Sequence, residues 1–344
     1  MTHLRFIFSY NISVGMELII NKRLTDKLLE VFKELSFDSA VSSCHPHAIV
    51  SSVWKHTSRT AWYKMRQPRM LTVIHKEKVV AMLPVISNMS GSRYKMLTDM
   101  RGISSCDALF NTCLSTTEKV EAADKLATWL IHHRFALKRI SSDSMLAKTL
   151  ENNGYPPYRK AECCKIIIDK PYDEWFKTLP KSVRQNIRTA YNRLNRDSLE
   201  YQIVTGNSTQ LFSTSLQLYC QRQNEAYISG SNAKKFLKLW RVQYENPVTK
   251  ALKKDGTHIL LYINKKPAAC ISGFLSAGKT ALTVPRLAIN SAFRAYSPGY
   301  ILICEIIKLY HIPGITFLID LGRGMEKYKL DLGATCYTTS DFRK

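Results

Sequence analysis

One pattern occurs twice in this chain of 344 residues, and it constrains the fold more than any other feature. Arg69–Ser87, "RMLTVIHKEKVVAMLPVIS", reads as strand, polar turn, strand, and Thr257–Gly278, "THILLYINKKPAACISGFLSAG", reads the same way. In both, a Lys-rich turn separates β-branched runs, as in a hairpin. Each hairpin is followed by another strand-like run (Ser92–Asp99 and Lys279–Ile289), then a helix (Glu118–His132 and Tyr300–His311), then a further strand (Phe135–Asp143 and Gly314–Gly322). Strands interleaved with amphipathic helices predict an α/β fold with mixed sheets. We expect two tandem lobes of similar build, residues 16–170 and 171–344, joined by a helical middle. A single mixed sheet fits the pattern nearly as well.

The middle opens with a short helix, Tyr172–Leu179, and a longer one, Lys181–Arg196. In the longer helix Val183, Ile187, Tyr191 and Leu194 recur at helical spacing and predict a buried stripe. Lys181, Arg184, Arg188, Arg193 and Arg196 flank it, either as a solvated face or as an anion-binding one. Helices are expected next at about Thr209–Tyr227 and Ala233–Tyr244, separated by Gly230 and Ser231.

The formal charge of +23 implies anionic partners: a phosphorylated cofactor, nucleic acid, an acidic polysaccharide or a membrane surface. It does not choose among them. The nine cysteines are odd in number and form no C-x-x-C pair, which argues against a zinc site or disulfide framework and for a reducing cytoplasm. "CHPH" at Cys44–His47 is the one metal-like cluster, and no second ligand pair stands at zinc spacing. No apolar run reaches 18 residues, so no spanning helix is expected. Arg5–Ile20 faintly resembles a signal peptide but carries Glu17 and lacks a clear small-residue cleavage site. "MELIINKRL" reads better as a first strand, with translation expected to begin at Met16. The expected location is cytoplasmic, including the inner face of the membrane.

The stretch "FRAYSPGYILICEIIKLYH", Phe293–His311, carries the main chemical signal. Ser297 is a favoured N-cap, Pro298 a favoured first helical residue, and Gly299 lets another molecule approach the backbone. The amides of Gly299, Tyr300 and Ile301 are then expected to be free at the positive end of the helix, with no acid before Glu305. Such an end suits a phosphate or pyrophosphate, although an ordinary capped core helix has the same signature. The corresponding first-lobe helix begins "STTEKVEAADKL", where Ser115 and Glu118 predict a capping box. Glu118 and Glu121 would repel a phosphate there, so the second lobe is the one expected to hold it.

Arg294-Ala295-Tyr296-Ser297-Pro298-Gly299 resembles the Arg/Gln-x-x-Gly-x-Gly/Ala loop of the GNAT acyltransferases, with Ser297 in place of the first glycine. "SPGYIL", "IDLGRGMEKYKLDLG" (Ile319–Gly333) and the basic "LPKSVRQNIRTAYNRL" resemble, more closely, the CelD/BcsL-type GNAT family associated with cellulose and exopolysaccharide gene clusters. The likeness runs from about Ile20 to Arg343. It implies two GNAT-like lobes, of which the second binds acyl-CoA through Arg294, Ser297, Pro298, Gly299 and Tyr300. It also implies acyl transfer to an amine or hydroxyl of a sugar-related or cell-envelope acceptor by direct attack, with acyl-CoA as co-substrate and no metal.

Within that chemistry Tyr328 fits the general acid that protonates the leaving thiolate, and a satisfied half-buried tyrosine fits equally well. Asp320 is the nearest candidate base, with Glu326 second, and either a turn cap or a water relay competes. Pro285 fits the bulge at which GNAT strands splay apart. Arg323, Lys327 and Lys329 fit the 3′-phosphate of CoA, an anionic acceptor or a solvated rim, and Arg184 and Arg188 extend the same set. Two departures stand out: Asn290 replaces an expected acid, and Lys344 follows so soon after the last expected strand begins that the final strands are expected to be short or absent. The related Fem-type peptidyltransferases also have two such lobes and use aminoacyl-tRNA, which is the rival reading. A non-catalytic binder of nucleic acid or a membrane surface is the third.

Overall fold

The computed structural model describes residues 15–38, 47–98, 106–226, 232–276 and 278–344. Most of the leader-like run, Cys44–Pro46, and Gly230 and Ser231 lie outside them. The first half contains β1 (Glu17–Asn21), α1 (Asp26–Asp38), α2 (His47–Arg59), α3 (Ala61–Lys64), β2 (Arg66–His75), β3 (Lys78–Asn88), β4 (Arg93–Met96), β5 (Leu109–Phe110), α4 (Thr116–Ile131), β6 (Arg134–Ser141), α5 (Met145–Asn152) and β7 (Arg159–Ile168). The second half opens with α6 (Tyr172–Thr178), α7 (Lys181–Arg196), β8 (Tyr201–Gly206), α8 (Thr209–Ala226) and α9 (Asn232–Trp240), which runs into a π-turn at Arg241–Glu245. Then come α10 (Pro247–Asp255), β9 (Thr257–Ile263), β10 (Lys266–Leu275), β11 (Ala281–Ile289), a 3₁₀ turn (Ser291–Tyr296), α11 (Pro298–Tyr310), β12 (Phe317–Arg323), α12 (Lys327–Asp331) and β13 (Thr335–Arg343).

The duplicated hairpins are built alike. Lys76-Glu77 and Asn264-Lys265 are two-residue loops with positive φ at both positions. That conformation matches the twist of the flanking strands. Each hairpin belongs to a meander of four antiparallel strands, β1–β4 and β8–β11. A helical crossover then adds a parallel strand: β6 beside β4 by way of α4, and β12 beside β11 by way of α11.

The final strand of each half crosses to the other. The path through the sheet runs β1-β2-β3-β4-β6-β13-β7-β12-β11-β10-β9-β8, with β5 paired to β3. So β7, from the first half, lies against β12 of the second, and β13, from the second, lies against β6 of the first. The two exchanged strands pair antiparallel with each other from Thr335↔Lys165 to Asp341↔Arg159. Two lobes and one mixed sheet are thus both present: two similar halves fused through an exchanged pair. The last strand is not short; it spans nine residues at the centre of the sheet.

The cores follow the halves except at the exchanged strands and at one further overlap. Ile166, Val183, Ile187, Leu261, Ile303 and Ile319 belong to the second-half core. The first-half core also takes in Phe212, Val248, Leu252 and Phe274 from the second half, where α10 packs against α2. Ser52 Oγ donates to the Pro247 carbonyl at that contact, 2.9 Å away. No described helix is long and apolar enough to cross a membrane.

Candidate active site

The second half-sheet opens into a fork. β11 and β12 pair in parallel only at Ala281↔Leu318, Leu282↔Ile319 and Thr283↔Asp320. Beyond Asp320, β12 stays with β7, while β11 stays with β10. The divergence begins at a bulge: Phe274 faces Thr283 and Ser272 faces Arg286, so Val284 and Pro285 together oppose Gly273, one residue extra on β11. Gly273 makes the bulge possible, because a Cβ there would lie 2.4 Å from the Thr283 carbonyl oxygen. Pro285 removes a donor from the strand at this point. Past it, Asn290 N–H bonds the Ala268 carbonyl on β10. By the alternation of an antiparallel ladder, the amides of Leu287 and Ile289 face the gap. The open edge ends beside α11, with Ile289 Cγ2 3.4 Å from the Cβ position of Gly299.

The turn into α11 differs from expectation in two respects. Ser297 is left-handed (φ 46, ψ 53), and its side chain makes no capping bond. A capping serine needs extended backbone to reach the second or third amide. Here the residue instead closes the preceding 3₁₀ turn, its N–H bonding the Arg294 carbonyl at 3.1 Å. This is a conformation that glycine adopts without strain. The second difference is in the amides: those of Tyr300 and Ile301 already bond the Ser297 carbonyl at 3.0 and 3.4 Å. Gly299 N–H is left without an acceptor among the described residues, at a helix end with no acid in its first turn. The first-half counterpart α4 is closed as the sequence implied, with Ser115 and Glu118 forming a reciprocal capping box.

The basic helix α7 holds this turn from the side. Arg193 Nη1 donates to the Ala295 carbonyl at 2.7 Å, and Tyr296 Oη donates to Asp197 at 2.8 Å. Asn290 has two jobs that an acid could not combine: Oδ1 accepts from Ala292 N–H, and Nδ2 donates to the Pro267 carbonyl. Arg294 is exposed at the turn. On the other side Tyr300 Oη donates to Asp331 at 2.9 Å, tying α12, the helix that carries Tyr328, to the first turn of α11. Burial, then Asp331, push the Tyr300 phenol up to about 12.

Asp320 stands at the closed end of the fork, within β12 rather than at its end, and is 3% exposed. One oxygen accepts from Gly322 N–H at 2.8 Å, and both accept from Tyr337 Oη at 3.1 Å. Burial raises its pKa, and these bonds together with Lys165 and Lys329 oppose the rise. Tyr337 is a candidate that sequence reasoning missed. It reaches Asp320 from β13 across the exchanged strand β7, and nothing local marks it.

Three predicted substrate contacts are not available at the fork. Lys329 is buried, and its ammonium donates to the carbonyls of Gly322, Arg323 and Gly324 while pairing with Glu326 at 2.8 Å. It locks the β12–α12 turn and has no donor to spare. Helices α7 and α11 run in opposite directions, so Arg188 lies beside Lys308 in a pocket shared with Tyr172 and stacks on Phe176. Lys308 is nine residues past Gly299, roughly 14 Å along the helix. Arg184 is one turn farther, half-buried, with its Nε unpartnered. Arg323 is exposed at the end of β12.

Residues 181–330 match the acetyltransferase (GNAT) domain family, a stretch that holds the fork, the α11 turn, Asp320 and Tyr328 and stops short of Tyr337. No curated protein matches the chain in sequence. Among solved structures it is similar to FemX, with 9% identity, TM-score 0.59, and coverage of 95% of this chain and 96% of that one. It is also similar to L-PGS from Bacillus licheniformis (11% identity, TM-score 0.51, coverage 93% and 92%). A conserved protein of unknown function from Bacteroides thetaiotaomicron shares 16% identity at TM-score 0.50, with coverage of 95% and 100%. At these identities the likeness is one of fold. Over residues 181–330 the chain is thus similar to the acetyltransferase (GNAT) domain family, within a two-half fold similar to that of FemX.

Proposed function

We propose that the protein is an acyl-CoA-dependent N-acyltransferase of the CelD/BcsL type, with one donor site, in its second half. The observation that carries this reading is the open edge of β11 running to the acid-free start of α11, inside the stretch that matches the acetyltransferase family. The donor pyrophosphate lies at Gly299, next to Arg294. Its pantetheine arm adds to β11 at the Leu287 and Ile289 amides, which places the thioester at the fork. An amine or hydroxyl of a sugar-related or cell-envelope acceptor attacks the carbonyl carbon. The acceptor's proton passes to Asp320, directly or through water, the C–S bond breaks, and Tyr328 protonates the thiolate. The test is calorimetry of the intact chain with acetyl-CoA and longer acyl-CoAs. Binding to none of them overturns the reading.

A second donor class, an aminoacyl-tRNA, suits the net charge of +23 as any polyanion does. Tight, steeply salt-dependent binding of charged tRNA without CoA binding would select it.

A further inference from the structure

On the face of β11 away from α11, a cleft of about 860 Å³ lies between the two halves. Its floor is Arg286, which directly follows Pro285 at the fork. Leu282 and Val284 pack toward α11, whereas Ala288 packs with Leu218 of α8, so the cleft and the α11 turn lie on opposite faces of the strand. Arg286 is 5% exposed. Its guanidinium stacks on Tyr219, 4.8 Å from the ring centroid, and donates to Thr249 Oγ1. Among the described residues no carboxylate pairs with it. A buried guanidinium is costly to keep without a counter-ion, and burial lowers its pKa.

The walls are cationic as well. Lys64 comes from the first half, and Lys234, Lys238, Arg241 and Lys250 from the second. Among the described residues Glu245 is the one acid in the lining, 3.9 Å from Arg241. His56, also in the lining, is held below its usual range by burial first and then by Lys64 and Lys250. The cleft has the size of a small-molecule site.

We propose that this cleft holds the acceptor through an anionic group, a phosphate or a carboxylate, that pairs with Arg286 and the surrounding lysines. The acceptor is thus an anionic amine or alcohol that reaches the fork from the face opposite the donor. This rests on the acyl-transfer reading above and adds the acceptor's charge to it.

The experiment measures binding of inorganic pyrophosphate, inorganic phosphate and acetate to the intact chain, with CoA titrated in parallel. Gly299→Glu is the background, so that pyrophosphate cannot report on the α11 turn. At least one probe should bind there. Its affinity should fall at least tenfold in Arg286→Gln and several-fold in Lys64→Glu, an exposed position whose change leaves the core intact. Preference for the phosphates or for acetate identifies the group. CoA binding measured in the wild-type background should survive both cleft substitutions. No probe binding, or equal binding in Lys64→Glu and Arg286→Gln, overturns the anionic acceptor while leaving the donor reading in place. Probe binding with no CoA binding overturns the donor reading alone.

Discussion

Arg193 Nη1 lies 2.7 Å from the Ala295 carbonyl oxygen, so the basic helix grips the backbone of the proposed donor turn rather than the donor itself. Arg193→Ala should raise KM for acyl-CoA roughly three- to tenfold, the weight of one exposed hydrogen bond, with kcat nearly unchanged. Steady-state kinetics check this. An unchanged KM would mean that the turn keeps its shape without the grip.

Gly299→Glu separates a donor site from a mere helix end. A carboxylate in the first turn favours the helix dipole by about 0.3–1 kcal/mol, and nothing closer than Ile289 Cγ2, at 3.4 Å, meets the new Cβ. The protein should therefore fold at least as stably. Wild type should gain about 2.7 kcal/mol from CoA at 100 times Kd, and the variant nothing. Melting curves with and without CoA decide it; equal stabilisation of both proteins removes Gly299 from the donor site.

Ser297 occupies a left-handed conformation that costs a non-glycine residue about 1 kcal/mol. Ser297→Gly relieves this but frees the unfolded chain, so stability should stay level or rise by up to ~1 kcal/mol. CoA affinity should hold. A several-fold loss of affinity would show that the hydroxyl touches the donor.

The pH profile distinguishes the roles of Asp320, Tyr337 and Tyr328. As a base Asp320 acts ionised, so kcat/KM should fall as pH drops through its raised pKa, above the usual carboxylate value of about 3.9. Tyr337→Phe removes a bond that favours the carboxylate and should move this limb to higher pH. Tyr328→Phe should lower kcat by about 10²–10⁴ without moving it. An acid limb unaltered in Asp320→Asn would assign the base to water. For stability the sign is opposite: a carboxyl whose folded pKa is raised favours the native state below its unfolded pKa, and that contribution is lost as pH rises through the folded value.

Gly273→Ala should damage the fork. Its Cβ would sit 2.4 Å from a backbone oxygen, which cannot rotate away. We expect a loss of about 1–3 kcal/mol in denaturant unfolding, as for other overpacked sites. Wild-type stability would show that the bulge tolerates a Cβ.

The sequence by itself determined the repeated run of hairpin, strand, helix and strand in each half, and the helical middle between them. Hairpins, crossover helices and caps arise from contacts a few residues apart, so β-branched runs, the Ser115–Glu118 box, Pro298 and the glycine after it were legible as read. Pro285 and the acid-free helix start marked the fork and the proposed donor turn for the same reason. Tertiary structure alone decided the rest. The exchange of β7 and β13 depends on which edge each final strand finds, and no contact within either strand fixes that. It brings Tyr337 to Asp320 from 17 residues away, over an intervening strand. It took the opposing run of α7 and α11 to give Arg193 the turn and leave Arg188 near the far end, since a basic face reads alike along its length. Lys329 looked like a rim cation until the β12–α12 turn wrapped three carbonyls around it. Arg286 drew no notice in an apolar strand, because what gives a buried charge its meaning is the absence of a partner, and that is settled only when distant chains have packed.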